Sequence, residues 1–144
     1  MSHKIVVGYD GSDSSRAALD FATEVTKAQG GSIVVAHVLE WSPYSFLTPN
    51  EIEERHMRRK EELSRAEEAI LAPALAGLKD SGLDVSTALR FGQVAATLSR
   101  IAKETGADQI VIGRNGEPGF GSRVFGSVAI SLAQAAPVPV TIVP

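Results

Sequence analysis

The sequence predicts an α/β protein in which residues 1–144 form one domain, an open five-stranded parallel sheet with helices on both faces. Short apolar runs alternate with longer helical patterns along the whole chain, as successive βαβ units require. The runs Ile5-Val6-Val7, Ile33-Val34-Val35-Ala36 and Ile110-Val111-Ile112 are apolar at consecutive positions, which suits strands covered on both faces. Glycines and turn residues, such as Asp10-Gly11-Ser12 and Gly30-Gly31, punctuate the pattern.

The first strand, Lys4 to Tyr9, gives onto a turn whose Ser12 or Asp13 can cap a helix. That helix, Ser14 to Gln29, is expected to bury Ala17, Ala18, Phe21, Ala22 and Val25 and to stop at Gly30-Gly31. Ser32 to Leu39 reads as the second strand, and Glu40 to Asn50 as a loop with Trp41, Tyr44 and Phe46. A long helix follows from Glu51 to Ser81, with Ile52, Leu63, Ala66, Ile70, Leu75 and Leu78 on its apolar side and a kink at Pro73. The third strand is Leu83 to Phe91 and the third helix Gln93 to Thr105. The fourth strand is Gln109 to Ile112, a helix opens at Gly126-Ser127, and the last strand is Val138 to Val143.

Composition narrows the functional classes. Fourteen basic against 17 acidic residues supply no general attraction to nucleic acid or to an anionic membrane. The basic cluster Arg55 to Lys60 is flanked by Glu51, Glu53, Glu54, Glu61 and Glu62, and reads as a solvated helix face with i,i+4 pairs. Without cysteine there is no disulfide framework, thiolate zinc site or thiol nucleophile. His3, His37 and His56 are too scattered for a local metal motif, and His37, inside an apolar strand, reads as a core residue. No apolar run reaches membrane-spanning length and no leader pattern opens the chain, so a cytoplasmic protein is expected.

The chemistry concentrates between Ile110 and Pro144. Gly113, Gly116, Gly119 and Gly121 lie between a strand and a helix, and helix N-termini attract phosphate through unpaired N–H groups. A P-loop is excluded because Ser122 stands where its lysine belongs. A dinucleotide fingerprint is excluded too, since Val124 occupies the third glycine position. No G-x-S-x-G elbow or triad is present, and no catalytic or metal-ligating residue is assigned.

Gly113-x-x-Gly116, nine residues, then Gly126-Ser127, followed by Pro137-Val138-Pro139-Val140, resembles the nucleotide-binding signature of the universal stress protein family. Ile5 to Ser12, Ala36-His37-Val38, Gly92 with Ala95, and Gly106-Ala107-Asp108 also resemble that family's pattern, so the likeness spans the chain. It implies a Rossmann-like sheet of the adenine nucleotide alpha hydrolase kind, with ATP, ADP or AMP and Mg²⁺ as cofactors. Val38 would offer backbone groups to adenine, with Tyr9 and Ile112 as apolar walls. Asp10 would lie near the ribose or a phosphate-bound Mg²⁺, and Gly113, Gly116, Gly126, Ser127 and Val128 would hold ribose and phosphates. Arg114 could pair with phosphate oxygens.

Plain roles stand beside these: Gly126-Ser127 as a simple N-cap, Asp10 as a turn initiator, Arg114 as a surface charge. The resemblance implies an ATP-binding regulatory protein, dimerising through the edge strand Val138 to Val143 and acting on a protein partner the sequence does not name. A slow ATP-hydrolysing or phosphotransferring enzyme on the same sheet, or a nucleotide-independent dimeric interaction module, are the alternatives.

Overall fold

Lys4–Gly8 (β1) lies at the centre of a parallel sheet, with Ser32–Leu39 (β2) on one side and Gln109–Gly113 (β4) on the other. Asp84–Phe91 (β3) pairs with β2 and Val140–Val143 (β5) with β4, giving the order β3-β2-β1-β4-β5. The fold class expected from the apolar runs is the one observed. The computed structural model describes residues 3–40, 48–114 and 121–144, and for 121–126 the backbone alone.

Covering β1 on both faces explains why its residues are apolar in succession: Val6 and Val7 point to opposite faces and both are fully buried. Val6, Ile110 and Ile112 pack under α4 (Val94–Thr105) and α5 (Gly121–Ala135), through Leu98, Ile101, Val128 and Leu132. Ile5, Val7 and Val111 pack under α1 (Asp13–Gln29), through Ala18, Leu19 and Ala22, and under Leu71 and Ala74 from the other crossover.

That crossover is one long helical path: α2 (Pro49–Ala66), a π-helical turn (Glu67–Leu71) and α3 (Ala72–Leu78). A capping box at Thr48 and Glu51 starts it, with Pro49 in the first turn where no N–H is needed. Ahead of Pro73, where a kink is expected, the helix widens into a π turn in which the Ala72 N–H reaches back to the Glu67 carbonyl. Trp41, Tyr44 and Phe46 lie outside the described residues. No helix among the described residues is long and apolar enough to cross a membrane.

Several boundaries and faces differ from expectation. On α1 the buried stripe is Ser15, Ala18, Leu19, Ala22, Thr23 and Thr26, while Phe21 is exposed. The threonines enter the core because their hydroxyls donate to the Leu19 and Ala22 carbonyls one turn back. On the long crossover, Ile52 and Leu75 are exposed, while Ala66, Leu71 and Ala74 are buried and Ile70 and Leu78 pack against the core; the five-residue step from Ala66 to Leu71 is that of the π turn. β5 starts at Val140, not Val138: Pro139 has no N–H for the ladder, though its carbonyl accepts from Ile110. Finally, α5 begins at Gly121, so Gly126 and Ser127 fall inside the helix and not at its opening. Val128 and Leu132 stand one turn apart on its buried side, and no proline interrupts 121–126.

Candidate functional site

The strand order reverses beside β1. The chain runs outward from β1 through β2 to β3, then returns to β4 on β1's other side. In such a sheet the loops diverge at the carboxyl ends of the two strands at the reversal, opening a crevice between them.

The carboxyl end of β1 is tightly built. Gly11, at φ 82°, lets the chain turn sharply after Asp10. The Ser12 N–H donates to Asp10 Oδ1 at 2.9 Å, and the Asp10 N–H donates to the Ser15 hydroxyl at 3.2 Å. Ser12 in turn caps α1, accepting the Ser15 N–H on its side chain, while the Ser15 hydroxyl donates to the Ser12 carbonyl. The Asp10 carboxylate is therefore held on a short, rigid turn, with its second oxygen unengaged among the described residues.

Glycines bring the neighbouring pieces together. A Cβ on Gly113 would collide with the hydroxyl and backbone of Ser14, so the end of β4 rests on the first turn of α1. A Cβ on Gly8 would stand 3.1 Å from Ile112 Cγ2 and 3.2 Å from Leu98 Cδ1, so β1 passes close under β4's last apolar side chain. Gly8 and Ser15 belong to the opening pattern that carries the resemblance, without an assigned packing role, and Ser14 is read from the sequence only as the start of a helix. A small residue closing the apolar run Ile5-Val6-Val7 is the physical signal for the close approach at Gly8.

Val38, Ile112 and Val128 belong to one packed cluster on the α4 and α5 face, with Val38 half-buried at its margin and Ala129 beside it. Tyr9 does not join them. It is buried in the cluster on the opposite face, with Val7 and Ala18, because side chains alternate along the strand. Tyr9 and Ile112 are thus not two walls of one cavity. Arg114 has an exposed side chain, and its N–H donates to the Val143 carbonyl, fixing it at the crest between β4 and β5. Ser127 is exposed on α5, and Gly116 lies outside the described residues.

His37 is buried, as its apolar strand predicts, and its Nδ1 lies 2.7 Å from the Tyr9 carbonyl. At the far edge, the Arg59 guanidinium stands 5.3 Å over the Phe91 ring, joining α2 to the carboxyl end of β3. No group of three metal-ligating side chains occurs among the described residues. The carboxyl ends of β1, β2 and β4 thus bring together a packed apolar cluster, backbone edges and one fixed carboxylate.

A family model described as the universal stress protein family matches residues 1–144. The chain is 30% identical to the universal stress protein YxiE of Bacillus subtilis (strain 168), with 99% of each chain aligned. It is 33% identical to a universal stress protein of Thermus aquaticus encoded beside a QAH/OAS sulfhydrylase, again with 99% of each aligned. Among solved structures, the universal stress protein UspA from Lactobacillus plantarum shares the fold with a TM-score of 0.83 at 22% identity, covering 99% of this chain and 97% of that one. The fold is also that of the Archaeoglobus fulgidus universal stress protein in complex with dAMP, TM-score 0.60 at 24% identity, covering 100% and 98%. An Arabidopsis thaliana family protein with AMP bound has a TM-score of 0.65 at 16% identity, covering 98% and 90%.

Proposed function

The chain belongs to the universal stress protein family, and from that membership we propose that it binds an adenine nucleotide in the crevice between the carboxyl ends of β1 and β4. The observation that carries the reading is the meeting of Val38, Ile112 and Val128 in one cluster beside the Asp10 turn and Gly113. Relatives of the same fold hold AMP and dAMP, which supports adenine as the base.

In this reading the base lies against Ile112 on the α5 face, with Val38's backbone at its edge. Tyr9 supports β1 from the opposite face. Asp10 faces the ribose, or a Mg²⁺ carried on phosphates, with its free carboxylate oxygen. Gly113, Gly116, Gly126, Ser127 and Arg114 serve the ribose and phosphates, Arg114 by charge. Amide donors to ionised oxygens contribute about 1.5–3 kcal/mol each, so three suffice for roughly micromolar binding after ordering costs.

The preferred ligand is ATP with Mg²⁺, and the protein acts as a cytoplasmic homodimer whose nucleotide occupancy changes the surface that residues 113–123 present to a protein partner. Native mass spectrometry of freshly purified protein, followed by calorimetric titration with AMP and with ATP and Mg²⁺, tests it. A retained nucleotide, or a dissociation constant below about 100 μM, is expected. No increment and no heat with any adenine nucleotide would overturn it.

A further inference from the structure

We infer that His37 is a positioning residue for the adenine edge: by giving its Nδ1 proton to the Tyr9 carbonyl, it ends the β1–β2 ladder one rung early and leaves the Val38 N–H for the ligand. The inference rests on the nucleotide reading above and adds to it a residue that reading does not use.

A parallel ladder advances by a fixed rule. When a residue's N–H donates to one residue of the neighbouring strand, its carbonyl accepts the N–H of the residue two further along. The Tyr9 N–H donates to the Ala36 carbonyl at 2.8 Å, so the next rung would bring the Val38 N–H onto the Tyr9 carbonyl. The His37 ring holds that carbonyl instead, at 2.7 Å, and the paired register stops at Gly8 with Ala36. A carbonyl only accepts, so Nδ1 carries the proton and the tautomer follows from the partner.

The other side of β2 agrees. Its rungs to β3 use the alternate residues, as the Gly92 N–H donating to the Leu39 carbonyl at 2.9 Å shows, and this turns the Val38 N–H toward β1. His37 and Val38 also face opposite ways. The imidazole shares the face of Ile33 and Val35, while the Val38 side chain joins the cluster of Ile112 and Val128. The ring thus satisfies a buried carbonyl from behind the sheet, and the N–H that would otherwise satisfy it stays available on the side where the crevice lies.

A wild-type measurement comes first. Long-range proton–nitrogen correlation spectra of the imidazole read the tautomer: a proton on Nδ1 is expected, and one on Nε2 overturns the inference. In His37→Leu the Tyr9 carbonyl loses its donor and recaptures the Val38 N–H. Val38 amide exchange then slows about tenfold or more, and AMP affinity falls about tenfold, the worth of one amide bond to the ligand. His37→Asn places an amide N–H at the position of Nδ1 and keeps both near wild type, which a mere packing role would not do. Unchanged Val38 exchange in His37→Leu, or slowed exchange with undiminished AMP affinity, overturns the inference. If AMP binds no form of the protein, the link to ligand fails with the nucleotide reading, and the exchange contrast still decides what His37 does to the ladder.

Discussion

Gly113, the last residue of β4, lies directly on Ser14 in the first turn of α1, so closely that any side chain there would strike both the serine hydroxyl and its backbone. The first glycine of the spaced motif is therefore required by strand–helix packing before any ligand arrives. Gly113→Ala is expected to destabilise the fold by about 1–3 kcal/mol, the usual cost of overpacking, measured by urea denaturation. Adding Ser14→Ala recovers only part of this, because the Ser14 carbonyl remains in the way. Full recovery would show that the hydroxyl alone sets the constraint.

The turn that carries Asp10 makes a separable prediction. Asp10→Asn keeps an oxygen for the Ser12 N–H, so its melting temperature should stay within a few degrees of wild type. Any Mg²⁺ enhancement of ATP affinity should be lost, since the charge is gone. Ser12→Ala does the reverse, removing the helix cap for about 1 kcal/mol of stability. Calorimetric titration with and without Mg²⁺, beside thermal unfolding, separates the two. Equal Mg²⁺ dependence in Asp10→Asn and wild type would remove Asp10 from the metal's surroundings.

Much of this architecture was legible because it depends on local signals. The run Ser32 to Leu39 predicts β2 to the residue, and of the two caps the turn offers, Ser12 and Asp13, Ser12 is the one used. The face assignments were less legible. Tyr9 follows Ile5 and Val7 at period two, so strand parity sets it apart from Ile112, against the shared wall that the family resemblance implies. The burial of Thr23 and Thr26 was hidden because it depends on hydroxyls bonded to their own helix. The His37 bond to Tyr9 and the contact of Gly113 with Ser14 join residues far apart in sequence. Neither exists until the sheet is assembled.

The helical crossover tests how Pro73 shapes packing. Proline lacks the N–H for the regular ladder and its ring crowds the carbonyl one turn back, which the π turn at Glu67–Leu71 relieves. Leu71, fully buried, sits at the end of that turn. Leu71→Ala should cost about 2–5 kcal/mol, as a large-to-small change in a closed core does. Pro73→Ala permits regular α-helical bonding, but would rotate Leu71 and Ala74 against β1. The expected result is a gain well short of the ~3 kcal/mol that an interior proline costs. Recovery of that whole amount in urea denaturation would mean that the π turn has no packing role.

The edge strand β5 offers the test of assembly. It pairs with β4 alone, so its outer backbone groups face solvent among the described residues. Ile142 is 42% exposed there, a large apolar side chain on an edge that natural sheets usually protect with charge or proline. Pro139 gives its carbonyl to Ile110, so its missing N–H faces β4, and the outer edge keeps the N–H and C=O groups of Val140 and Ile142 for pairing. A second copy antiparallel to the first would cover Ile142 of each chain with the other, an arrangement that closes on itself as a dimer. Ile142→Lys should turn the proposed dimer into a monomer in sedimentation at micromolar concentration while leaving the melting temperature of the isolated chain close to wild type. A dimer that survives this substitution would have to use another surface, and the exposure of Ile142 would then be a tolerated surface apolar residue.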